Sequence, residues 1–233
     1  MATNSGKKAR KKSGHMSVVE QNTKQYVDFR EVKPLNYIQQ TYLEAIFDNE
    51  IIFGIGSAGT GKTYVAAAYA ASQLFHRKID KIYLTRPNVE VGKSLGYLPG
   101  TLEEKYLPYL EPFDSVFIKT LGKGFYEYAL KNKQIEPKPL GFMRGSTFDN
   151  SIVLVDEVQN MTKTEFKMLL SRIGKNCKII LSGDDNQLDI KDSGLDDALY
   201  RLQGISGIEV VRFLEHDIVR SNMCKQIILA YKG

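Results

Sequence analysis

Only two of the 233 residues are cysteine, Cys177 and Cys224. Two thiols with no metal-ligand spacing cannot build a four-cysteine zinc site or a disulfide framework. Their scarcity points to a reducing, cytoplasmic setting in which both are small core residues. Apolar runs are also short: none approaches the ~20 residues that cross a bilayer. The basic, polar N-terminus lacks the apolar core of a secretory signal. There are no internal repeats. Acidic residues are missing from the first sixteen positions, where Lys7, Lys8, Arg10, Lys11 and Lys12 stand. These five account for the formal charge of +5, because the other 27 basic residues face 27 acids. The basic character thus belongs to a tail, expected to be disordered and suited to loose phosphate contacts, while the folded part is neutral. Gly14-His15-Met16 within that tail also reads as a cloning scar.

What is present is decisive. Gly56-Ser57-Ala58-Gly59-Thr60-Gly61-Lys62-Thr63 follows the apolar run Ile51–Ile55 and precedes a stretch of helix formers, Tyr64 to Leu74. Strand, glycine loop and helix N-terminus form the phosphate-binding arrangement of nucleoside triphosphate sites: backbone N–H groups wrap the phosphates and the helix dipole favours their charge. Lys62 would reach the outer phosphates and the Thr63 hydroxyl would ligate Mg²⁺.

Short apolar segments recur along the chain at Lys81–Arg86, Ser151–Asp156, Lys178–Gly183 and Ile208–Leu214. Helical spacing appears between Pro34 and Phe47 and near 163–173, 194–203 and 221–231. The alternation predicts an α/β fold with a mainly parallel sheet of about five or more strands, helices on both faces. Residues 1–33 read as tail and lead-in, and 34–233 as one domain. Residues 88–150 break the rhythm and read as an insertion beside the sheet, helical near Thr101–Tyr106 and Asp114–Asn132.

A bound triphosphate needs a held metal and an aligned water before it is hydrolysed. Asp156-Glu157 ends a buried apolar strand, where sites of parallel sheets are built. Asp156 suits Mg²⁺, held through water, and Glu157 suits the attacking water. One strand later, Gly183-Asp184-Asp185-Asn186-Gln187 offers Gln187 as a neutral sensor of the γ-phosphate.

These three segments resemble motifs I, II and III of superfamily 1 helicases. Leu84-Thr85-Arg86-Pro87-Asn88-Val89-Glu90-Val91-Gly92, Leu95-Gly96-Tyr97-Leu98-Pro99-Gly100 and Met143-Arg144-Gly145 narrow the resemblance to the PhoH family of bacterial and phage ATPases, from about Leu35 to Tyr231. It implies a RecA-like P-loop fold, ATP and Mg²⁺ as ligands, and action on single-stranded RNA or DNA as a helicase or remodelling motor. By that resemblance Gln39, with Gln40 beside it as the alternative, reads adenine. Thr85, Arg86 and Arg144 are the nucleic-acid candidates, and Arg220 reaches toward the γ-phosphate.

Helicases of this kind place ATP between two lobes, and a second lobe does not fit in the length after Arg220. The expectation is a homo-oligomer, a hexameric ring by family resemblance, with an arginine donated in trans from Arg172, Arg201 or Arg212. Tyr97, Tyr106, Tyr109 and Phe113 read as core more readily than as base-stacking aromatics. Two other functions fit the phosphate loop. One is a slow ATP-dependent regulatory switch without nucleic-acid stimulation. The other is a nucleoside kinase of the thymidine type, which two cysteines equip poorly and in which the 183–187 segment has no role.

Overall fold

A computed structural model describes residues 33–87 and 111–230. The basic tail, the helix expected near Thr101–Tyr106, and Tyr97, Tyr106 and Tyr109 lie outside the described residues. Six strands form one sheet in the order β3-β2-β4-β5-β1-β6, every neighbouring pair parallel. They are β1 (Ile51–Gly56), β2 (Lys81–Thr85), β3 (Ile135–Pro137), β4 (Ser151–Val155), β5 (Cys177–Gly183) and β6 (Ile208–Phe213). The helices are α1 (Tyr37–Asp48), α2 (Lys62–Phe75), α3 (Glu111–Leu121), α4 (Lys123–Lys131), α5 (Lys163–Leu170), α6 (Leu195–Leu202) and α7 (Asn222–Ala230).

The central strands are apolar throughout because both faces are covered, and successive side chains serve opposite cores. Ile52, Ile152, Leu154 and Ile180 join the core with α1 to α4. Phe53, Ile55, Val153, Val155 and Leu181 join the other, with Phe166 and Leu169 of α5. In α2, Ala66, Ala67, Ala70 and Ala71 are all buried, and such small side chains let the helix lie close on the sheet. Phe113 is buried in the first core, as its reading as a core aromatic anticipated. Cys177 is buried, whereas Cys224 on α7 is only half-buried and so departs from the core role expected of it.

The region 88–150 differs from the expectation of a mere insertion beside the sheet. Its described part contributes β3 as the sheet's outer strand, paired with β2 from Ile82↔Ile135 to Leu84↔Pro137. Three residues ending in proline carry almost no strand signal, yet an edge strand tolerates proline, since it need not donate on its open side. The helix read over Asp114–Asn132 is two helices, broken at Gly122, whose φ is 77°.

Candidate nucleotide site

The loop at the carboxyl end of β1 is held by close contacts. Gly56 has φ 135°, and a Cβ there would lie 1.9 Å from the Phe213 carbonyl oxygen, so only glycine lets β6 approach. Gly61 has φ 89°, and a Cβ there would lie 2.6 Å from Gln39 Nε2. Gln39 is buried: its Oε1 accepts from the Leu35 N–H at 2.8 Å and its Nε2 donates to the Thr60 carbonyl at 2.9 Å. Asn36 caps α1 through the Gln39 N–H at 3.0 Å and so fixes where that side chain starts. Gln39 lines the cavity over the loop. Gln40, the alternative, is exposed and donates to Glu44 at 2.7 Å.

Lys62 opens α2 yet folds back on its own loop. Its Nζ donates to the carbonyls of Gly56 at 2.5 Å and Ser57 at 2.8 Å, and lies 3.3 Å from Thr60 Oγ1. The ammonium also sits 5.7 Å from the centre of the Phe213 ring. Burial lowers its pKa, against the opposing pull of Asp184, Asp156, Glu157 and Asp185. The charges of these four acids all favour the ammonium form of Lys62.

β4 delivers the acidic pair to the same place. Thr63 Oγ1 donates to Asp156 Oδ1 at 3.3 Å, joining positions 93 residues apart. The Asp156 N–H is held by the Thr85 carbonyl at 3.0 Å. Loss of solvent around the Asp156 carboxyl, then the charge of Glu157, push its pKa up to about 6, and Arg86 pulls the other way. Two crowded carboxylates beside a hydroxyl form a hard-oxygen donor set that suits Mg²⁺. That ion is commonly held by one or two carboxylates plus substrate phosphates. Glu157 has φ 57°, a left-handed conformation that costs a non-glycine residue and persists where surroundings enforce it. Its carboxylate is held by Gln159, which donates from Nε2 to Glu157 Oε2 at 2.6 Å.

These groups share one cavity of about 550 Å³, lined by Gln39, Ala58, Gly59, Gly61, Lys62, Thr63, Asp156, Glu157, Gln187 and Arg220. Gln187 is exposed at its rim. Arg220 is also exposed, and the segment before it is clipped to the loop by the Val219 N–H on the Gly59 carbonyl at 3.1 Å. Gly56, Ser57 and Thr60 are in the loop but do not line the cavity; Ser57 and Thr60 are buried and brace it, Thr60 Oγ1 donating to the Ser57 carbonyl at 2.9 Å.

The nucleic-acid candidates are not gathered there. Thr85 is fully buried at the end of β2. Arg86 is half-buried near Asp156, and Arg144 is exposed on the connection between β3 and β4. Of the arginines considered for donation, Arg201 is paired with Asp197 of its own helix at 2.7 Å and Arg212 with Asp185 at 3.1 Å. Arg172 lies with Nε 3.5 Å from Met168 Sδ.

The model of one protein family, described as PhoH-like protein, matches residues 31–232. This chain belongs to the PhoH-like family. It is 41% identical over 212 residues to protein PhoH of Escherichia coli strain K12, covering 88% of this chain and 60% of that protein. It is 44% identical over 196 residues to a PhoH-like protein of Bacillus subtilis strain 168, covering 83% and 61%. The chain thus spans about three-fifths of the relatives it matches. Among solved structures it is similar to the large terminase of a thermophilic bacteriophage, at 14% identity and TM-score 0.49, covering 84% of this chain and 50% of that one. The fold is α/β and RecA-like: the acidic strand β4 is separated from the phosphate-loop strand β1 by β5.

Several residues of the PhoH-like site escaped the sequence reading. Lys119 and Val116 of α3 wall the cavity, though they belong to the stretch read as an insertion. Asp184 accepts the Ala58 N–H at 2.9 Å, a contact spanning 126 positions that no local pattern announces. Gln159 is fully buried between the two acidic motifs, and its only sequence signal is its place in Asp156-Glu157-Val158-Gln159-Asn160.

Proposed function

We propose that this chain is a Mg²⁺-dependent ATPase whose turnover is coupled to single-stranded RNA or DNA. One observation carries the reading: Lys62 and Thr63 from the start of α2, and Asp156 and Glu157 from the end of β4, face one cavity at the carboxyl rim of a parallel sheet. Lys62 leaves the Gly56 and Ser57 carbonyls to hold the outer phosphates, which return a counter-charge to a desolvated ammonium. Thr63 and Asp156 hold Mg²⁺, which when bound neutralises charge developing on the phosphate oxygens. Glu157 takes the proton of the attacking water, aimed by Gln159. Gln187 reports the γ-phosphate from the rim, Arg220 adds positive charge beside Gly59, and Gln39 favours adenine.

Coupling to nucleic acid is supported by family membership and by Arg86 and Arg144. In a steady-state assay, single-stranded RNA or DNA is expected to raise the ATPase rate. The stimulation should fall steeply between ~50 and ~200 mM salt, as phosphate contacts do. The balance of 27 basic against 27 acidic residues outside the tail favours a second reading, a slow regulatory switch. A rate indifferent to RNA, DNA and salt would replace the motor with that switch.

The working unit is proposed to be a homo-oligomeric ring, with an arginine from a neighbouring copy completing the charge at the phosphate. Native mass spectrometry with an ATP analogue and Mg²⁺ should show several chains together. Full turnover by a monomer would contradict the ring.

A further inference from the structure

The loop that should receive phosphate already holds a carboxylate. Asp184 Oδ2 accepts the Ala58 N–H at 2.9 Å, while Oδ1 accepts the Asn186 N–H at 3.1 Å. The aspartate is buried, and its negative charge bears on Lys62. It therefore holds a backbone N–H of the phosphate loop, at a residue that lines the cavity. The same residue is wired to the acid that handles water. The Asp184 N–H donates to Gln159 Oε1 at 3.1 Å. Gln159 Nε2 donates to Glu157 Oε2 at 2.6 Å and to the Gln187 carbonyl at 3.0 Å. Both ends of a fully buried amide are thus used to join β4's acidic turn to the turn after β5. A Cβ on Gly183 would lie 2.8 Å from Gln159 Oε1, so the amide has little room to settle elsewhere.

We propose that Ala58, Asp184, Gln159 and Glu157 form a coupling chain, in which Asp184 holds the phosphate loop and Gln159 is the positioning residue that passes its release to Glu157. The inference rests on the ATPase reading given above. An arriving polyphosphate competes with Asp184 for the Ala58 N–H and repels its charge. Displacing Asp184 shifts the 184–187 turn. Because Gln159 is bonded to that turn at two points, Glu157 is re-aimed at the moment the phosphate is seated.

The test measures two quantities on each variant: the affinity for a fluorescent non-hydrolysable ATP analogue with Mg²⁺, and kcat for ATP. Asp184→Ala should tighten analogue binding by about tenfold, the order expected when a charge-assisted hydrogen bond no longer has to be broken. Its kcat should nevertheless fall. Gln159→Met, similar in volume but unable to bond, should leave affinity within about twofold and lower kcat by about tenfold to a hundredfold, as misaligned groups do. In the double variant the kcat losses should not multiply, since both substitutions break one chain. Thermal unfolding of each variant separates positioning from simple destabilisation. Should Asp184→Ala fail to fold, Asp184→Asn removes the charge at constant size and should shift affinity in the same direction.

Weaker analogue binding in the Asp184 variants, an unchanged kcat in Gln159→Met, or multiplied losses in the double variant would each overturn the coupling. A parent protein that binds no ATP analogue would remove the nucleotide reading itself. A parent that hydrolyses ATP while the variants disobey these expectations removes the coupling alone.

Discussion

Glu157→Gln should bind MgATP as tightly as the parent, within about threefold, and hydrolyse it about 10²- to 10³-fold more slowly, within the range of a lost general base. That loss corresponds to roughly 3–4 kcal/mol of barrier. Glu157 is half-buried at the cavity wall, in a left-handed conformation, with one carboxylate oxygen taken by Gln159. The other oxygen is left to meet a water. Glutamine keeps the shape and the capacity to accept from Gln159, but a neutral amide takes no proton, so binding and chemistry should separate. Rapid-quench single-turnover kinetics alongside equilibrium binding read the two independently. Equal kcat in the variant would remove Glu157 from catalysis.

Lys62→Ala should abolish detectable nucleotide binding at micromolar concentrations. The ammonium is buried, and in the empty protein it is satisfied by two carbonyls and a hydroxyl of its own loop. Truncating one partner of a buried, hydrogen-bonded charge pair costs about 2–5 kcal/mol, or roughly 30- to several-thousand-fold in affinity. The nearby acids worsen the outcome, since without Lys62 an incoming polyphosphate meets the charges of Asp184, Asp156 and Glu157 with one cation fewer to offset them. Lys62→Met, which preserves packing, should lose binding to the same extent, and isothermal titration with MgATP compares the two. Retained affinity in either would show that the phosphates do not lie against Lys62.

Much of this was legible from residues alone, for physical reasons. A phosphate loop is a local object: its glycines, lysine and threonine lie within eight consecutive positions, flanked by a strand and a helix. Asp156-Glu157 was legible because a buried parallel strand reads as an unbroken apolar run and its carboxyl end is where ligands sit. The strand β3 was not, because Ile135–Pro137 is too short for periodicity to register and is defined by pairing with β2. The burial of Thr85 was not legible for a related reason. It sits at the end of β2, which lies between β3 and β4 in the sheet, and that placement is a property of the fold. Asp184 and Gln159 matter through partners 126 and 28 positions away, so their roles are properties of the fold.

A structure with a non-hydrolysable ATP analogue and Mg²⁺ tests the central claim most directly. The account predicts the γ-phosphate against Lys62 Nζ, the metal at Thr63 Oγ1 on the Asp156 side, and Glu157 facing the terminal phosphorus across a water. An analogue seated elsewhere, with Lys62 still bonded to the Gly56 and Ser57 carbonyls, would contradict it.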